Sequence, residues 1–214
     1  REELKLKKMN TKTNNLVRLA VLVAILLLLA YTPLGYLKMG PVEISFLMLP
    51  VVVGAIVIGP AAGAVLGGVF GLTSFLQCLG TSAFGVMLFS INPIFTFITC
   101  MVPRILAGWL PGILFNALHT HGKTKFVSFA AASISGAALN TVFFVSAVLV
   151  LFGSTDYIQS FGANLWAVIV ALVGVNGVVE ALVAAIVGTA VSKAIYHFAP
   201  QPVNHNSTPE GGMI

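Results

Sequence analysis

Charge is scarce in this chain. Only 8% of its 214 residues are Asp, Glu, Lys or Arg, against about 25% in an ordinary soluble domain. So few charges cannot cover a surface that water tolerates, so lipid must be the solvent for much of the chain. Cysteine is scarcer still. Cys78 and Cys100 both lie in or beside apolar segments, and they form no CxxC or Cys/His cluster. Nothing in that spacing indicates a disulfide framework or a zinc site, and both thiols are expected to pack as small apolar groups. Strand-like alternation of apolar and polar residues is missing too, which argues against a lipid-facing β-barrel. The fold expected is an all-α membrane protein, one compact helical bundle.

Catalytic constellations are absent as well. His119, His121, His197 and His205 all fall at the edges of apolar segments or beyond them, so no base is available at depth for a membrane-embedded nucleophile. Gly122-Lys123-Thr124 resembles the end of a phosphate-binding loop, but Ala117 stands where that pattern needs its first glycine. No enzyme is expected, and no metal site. The first apolar stretch runs past Tyr31 without a small-residue cleavage site, so no cleavable leader is expected. Met9 is a candidate natural start.

What is present is hydrophobic length: 58% of residues are apolar and the mean hydropathy is +1.01. A spanning helix needs about 20 apolar residues, and Gly, Pro and charge punctuate the chain into six such stretches. They cover residues 15–31, 44–58 with a kink expected at Pro50, 61–78, 91–118 interrupted by Pro103 and Pro111, 126–152, and 161–197. Residues 79–90 and 153–160 read as loops. The segment 1–14 reads as a basic cytoplasmic end, 15–198 as the six-helix membrane domain, and 199–214 as a disordered tail. Lys and Arg gather in 1–18, at Lys123 and Lys125, and at Lys193. The other side holds Lys38 beside Glu43 and Asp156. The positive-inside rule then places both termini in the cytoplasm. The net charge of +5 is a topology signal, which argues against nucleic-acid binding.

Ionisable groups inside spans are costly and are usually functional or paired. Arg104 and Glu180 are the two well inside. They read either as an ion pair between the fourth and sixth spans or as part of a solute site, with the guanidinium fork facing an anionic group. Asn176, four residues before Glu180, shares its helix face. Asn140 sits midway along the fifth span. Asn92, Thr96 and Thr99 line the outer half of the fourth, and Thr73, Ser74 and Gln77 end the third. Tyr157, Asn164 and Trp166 are placed to cap a site from outside, although aromatic residues there also serve as interfacial anchors. The substrate-binding candidates are thus Gln77, Asn92, Thr96, Arg104, Asn140, Asn164, Asn176 and Glu180. Small residues at Gly63, Gly67 and Gly71 predict close helix packing, and Ala20 and Ala24 repeat that spacing on the first span.

The run Ile58-Gly59-Pro60-Ala61-Ala62-Gly63, continued through Gly67, Gly71, Leu72, Thr73 and Ser74, resembles the substrate-binding S components of energy-coupling factor (ECF) vitamin transporters. Ala20 and Ala24 with Tyr31-Thr32-Pro33-Leu34-Gly35, the Pro103-Arg104 step and the Asn176/Glu180 pair carry the same likeness, over roughly residues 14–198. The resemblance is to the pantothenate-type group. It implies a six-helix bundle in a bacterial cell membrane that binds one vitamin near its external face. It also implies a transmembrane T component, docked through Ala20 and Ala24, and two cytosolic ATPases. No cofactor is implied for this chain, since the partner ATPases use the ATP. Two rivals stand beside this reading. One is a self-sufficient ion-coupled carrier or channel using Arg104 and Glu180; the other is a non-transporting membrane scaffold.

Overall fold

The computed structural model describes residues 2–38, 43–120, 125–162 and 164–198. The expected tail 199–214 and the Gly122-Lys123-Thr124 step lie outside the described residues. Helix α1 (Glu2–Tyr31) runs unbroken through the basic segment, because no Gly or Pro interrupts it before Pro33. A 3₁₀ turn at Pro33–Gly35 leads into a hairpin of β1 (Tyr36–Lys38) and β2 (Glu43–Ser45). The pair is antiparallel, in the register Tyr36↔Ser45, Leu37↔Ile44 and Lys38↔Glu43.

Helix α2 (Met48–Val57) is shorter than the expected 44–58, because Glu43–Ser45 are drawn into the hairpin. Its 10 residues reach about 15 Å, half of a hydrocarbon core roughly 30 Å thick. Pro50 does not kink it. The proline falls in the first turn, where a backbone N–H has no intrahelical partner to lose. Residues Met48 and Pro50 to Ile56 of α2 are all buried, and Leu26, Leu66, Phe70, Ala107, Phe115 and Phe129 from four other helices pack around them. This short helix is therefore the hub of the core.

Gly59 turns the chain from α2 into α3 (Pro60–Gln77) with φ 131°, a left-handed value open to glycine. Pro60 follows at the first helical position, which suits its fixed φ. Helices α3 and α5 (Pro93–Thr120) form the tightest crossing. A Cβ added at Gly63 would strike the Gly108 carbonyl, one at Gly67 the Arg104 carbonyl, and one at Gly71 would lie 2.8 Å from the Cys100 carbonyl. The glycine stripe thus lets α3 lie against the bare backbone of α5. Helix α5 is continuous through Pro103 and Pro111, where a break was expected.

Two stretches expected as loops contain short helices. Helix α4 (Ala83–Ile91) starts at a Ser82 side-chain cap, and α7 (Asp156–Gln159) at a Thr155 cap. Helix α6 (Lys125–Phe152) matches its expected span. The last expected span is α8 (Leu165–Val183), a π-helical stretch at Ala184–Gly188 and α9 (Thr189–Phe198). A second cluster joins Leu88 of α4, Val145, Val148 and Phe152 of α6, Ile158 of α7 and Val168 and Leu172 of α8. Large apolar side chains also cover the outside, among them Ile94, Val150 and Ile186. Among the described residues, four helices are long and apolar enough to cross a membrane, Lys12–Tyr31, Pro60–Gln77, Pro93–His119 and Val127–Phe152. The chain is a multi-pass helical membrane protein.

Candidate functional site

The site is organised by the backbone of α5. Pro103 has no N–H to give the carbonyl four residues back, that of Thr99. Arg104 fills the gap, its Nη1 donating to that carbonyl at 2.7 Å. The side chain is held inside, 8% exposed. Its guanidinium carbon lies 4.4 Å from the centroid of the Phe144 ring on α6 and 5.6 Å from that of Phe70 on α3. A desolvated cation–π contact of this kind contributes about 2 kcal/mol. Proline, cation and ring together fix where the positive charge sits.

Asn140 lies one turn before Phe144, on the same face of α6. It is 8% exposed, and its Oδ1 has no hydrogen-bond partner among the described residues. The Thr99 hydroxyl is in the same condition. Leaving such a buried group unpaired costs about 1–3 kcal/mol. A ligand that brings a hydrogen-bond donor for Asn140 and an anion for Arg104 relieves that cost. Glu180 completes the charged set. Its Oε1 accepts the Ser45 backbone N–H at 2.7 Å, tying β2 to α8. The described hydrogen bond of Glu180 thus runs to the hairpin.

The other expected residues are spread more widely. Gln77 donates from Nε2 to the Ala30 carbonyl at 2.9 Å, joining the ends of α3 and α1. Thr96 is fully buried, and its hydroxyl donates to the Asn92 carbonyl at 2.9 Å. Asn92 accepts the N–H groups of Ile94 and Phe95 at 3.0 and 3.1 Å, capping α5. Asn164 caps α8 in the same way, accepting from Ala167 at 2.9 Å. Asn176 lies on α8 four residues before Glu180, and its side chain falls outside the described residues. Trp166 is 76% exposed, as an interfacial anchor requires.

Sequence reasoning missed the rings. Phe144 carries no polar signal, and only its spacing from Asn140 links it to the site. Outward from it, Phe84 of α4 packs 6.3 Å from Phe144, 5.9 Å from Tyr157 and 6.0 Å from Phe161. The short helices α4 and α7 thereby bring an aromatic cluster onto the ring that faces Arg104. A separate recess of about 560 Å³ opens beside it, lined by Leu149, Gly153, Ile158, Gln159, Gly162, Asn164 and Val168. Its lining includes neither Arg104 nor Asn140.

Residues 14–192 match the family described as "ECF transporter, substrate-specific component". The chain belongs to that family. Two curated relatives are similar along most of their length. The pantothenic acid transporter PanT of Lactococcus lactis subsp. cremoris is 28% identical over 196 residues, covering 86% of this chain and 95% of the relative. The pantothenate transporter PanT of Leuconostoc mesenteroides subsp. mesenteroides is 29% identical over 202 residues, covering 89% and 96%. This ECF substrate-specific component also carries an outer helix with little of its surface packed. Only 11% of the apolar part of α1 is buried within the chain. Ala20 and Ala24 lie on it exposed, among exposed Leu16, Val17, Val21 and Leu28.

Proposed function

We propose that this S component captures pantothenate from outside the cell for ATP-driven uptake. One observation carries the proposal: a buried, preoriented Arg104 on the same helix contact as the unsatisfied Asn140. Pantothenate has a terminal carboxylate, which suits a guanidinium fork, and hydroxyl and amide donors, which suit the Asn140 oxygen. The names of the two relatives point to the same acidic solute. Glu180 keeps the neighbouring charge balanced and, through Ser45, couples the site to the hairpin. Of the remaining candidates, Gln77, Asn92 and Asn164 hold helix ends around it, Thr96 bonds within the first turn of α5, and Asn176 serves the solute from α8.

The bundle crosses a bacterial cell membrane six times, with both termini cytoplasmic. Helix α2 serves as a buried half-length crossing completed by the hairpin, and α8 with α9, about 50 Å long at 1.5 Å per residue, forms the last. Ala20 and Ala24 seat a helix of the T component, and two ATPases on other chains supply the energy. The chain itself needs no cofactor. The test is direct binding to the purified chain in detergent, across pantothenate, pyridoxine, riboflavin, folate and thiamin. Saturable one-to-one binding of pantothenate alone is expected. Tight binding of an uncharged vitamin in its place would remove the role given to Arg104.

A further inference from the structure

Helices α3 and α5 meet so closely that their two thiols face each other. At Gly71 the α5 backbone is in contact, with the Cys100 carbonyl 2.8 Å from where a Cβ would stand. Two turns further on, α3 ends at Cys78. Its Sγ lies 3.8 Å from the Sγ of Cys100. Both thiols are free and buried, 6% and 5% exposed. Cys78 is covered by α4 through Gly85, where a Cβ would come within 2.5 Å of its sulfur. Cys100 lies one turn from Arg104 and next to Thr99, whose carbonyl holds the guanidinium. Among the described residues, no group of three or more His, Cys, Asp or Glu side chains could complete a metal site here.

We propose that Cys78 and Cys100 form a reversible disulfide site that tunes solute binding. Oxidation removes the two S–H hydrogens as two protons and two electrons, and one S–S bond forms. A diazene oxidant such as diamide accepts both hydrogens and leaves as the hydrazine. A disulfide needs the sulfurs at about 2.05 Å, so they close by roughly 1.8 Å from their present separation. Cys78 stands at the C-cap of α3 and Cys100 within α5, so the closure pulls the end of α3 and the Thr99–Cys100 segment together. The Cys78 thiol also gives up its bond to the Ser74 carbonyl, now 3.2 Å. Arg104, anchored on Thr99, shifts with that segment. The effect on binding rests on the solute-binding role proposed above for Arg104; the disulfide itself does not.

The chain has only two cysteines, so any intramolecular disulfide must be this one. The full chain in detergent is treated with diamide, and free thiols are counted after denaturation. Intact mass and a non-reducing gel are read alongside. The expected result is a monomer that has lost both thiols and two hydrogen masses, restored by dithiothreitol. Pantothenate affinity should fall on the order of tenfold on oxidation, the scale of one charge-assisted hydrogen bond, and recover on reduction. Cys78→Ala and Cys100→Ala should each bind as the reduced protein does and ignore diamide. Persisting thiols, or crosslinked dimers instead of a closed monomer, would overturn the site. A complete disulfide with unchanged affinity would overturn its coupling to binding. If the reduced protein binds no pantothenate, the proposed substrate fails, while the thiol count still decides the site.

Discussion

Replacing Pro103 with alanine separates stability from binding. The new N–H would complete the helix by donating to the Thr99 carbonyl, the acceptor that Arg104 now occupies at 2.7 Å. Relieving a proline inside a helix stabilises it by about 3 kcal/mol, and displacing a charged donor from its acceptor costs about 1.5–3 kcal/mol. The two nearly cancel, leaving the variant as stable as the parent or up to about 1.5 kcal/mol more stable. Binding has no such compensation. Released from Thr99, the guanidinium no longer stands fixed against Phe144, and pantothenate affinity should fall about tenfold or more, the equivalent of 1.4 kcal/mol. Thermal melting and titration calorimetry on the same detergent-purified sample measure both. A variant with equal or greater stability and unchanged affinity would refute the idea that the proline gap orients Arg104.

Other perturbations test neighbouring parts of the account. Gly67→Ala drives a methyl against the Arg104 carbonyl and should lower stability by about 1–3 kcal/mol. Gly68→Ala, which meets only Ile105 at 3.8 Å, should be close to neutral in the same melting assay. Ala20→Trp or Ala24→Trp should leave solute binding intact and abolish uptake in cells, since both positions are exposed on α1; normal transport by both would remove the docking role. Glu180→Ala strips the Ser45 N–H of its acceptor and should cost about 1–3 kcal/mol. Glu180→Gln keeps an acceptor oxygen and should recover most of that loss.

The parts of the fold that were legible in the sequence are those where one physical rule acts alone. The glycine stripe at 63, 67 and 71 specifies a close helix contact, and each of those glycines meets α5 backbone. Length and hydropathy located α3, α5 and α6 to within a few residues. The hairpin was hidden because Ile44-Ser45-Phe46-Leu47 reads as the apolar start of a helix, whereas Ser45 is held extended by pairing with Tyr36 and by Glu180. Helix α4 was hidden because an uncharged stretch rich in Gly and Ser has the composition of a loop, while its Phe84 and Leu88 are fixed by packing from α6 and α7.

Polarity at depth singled out Arg104, Asn140 and Glu180, of which the fold buries the first two and half-buries the third. It could not separate solute-facing amides from capping ones, because the same Asn oxygen serves both. Asn92 directly before Pro93 is a case where a cap signal stood in the sequence. Phe144 and the Cys78–Cys100 contact depend on helix crossings that one sequence does not display.

The most direct test of the central claim compares pantothenate with pantothenol, its uncharged alcohol, on the native chain and on Arg104→Ala. The native chain should prefer the acid by about 2–5 kcal/mol, the range for losing one partner of a buried charge pair. The variant, shown to be folded, should lose that preference. A preference that survives in Arg104→Ala, or no preference in the native chain, would contradict it.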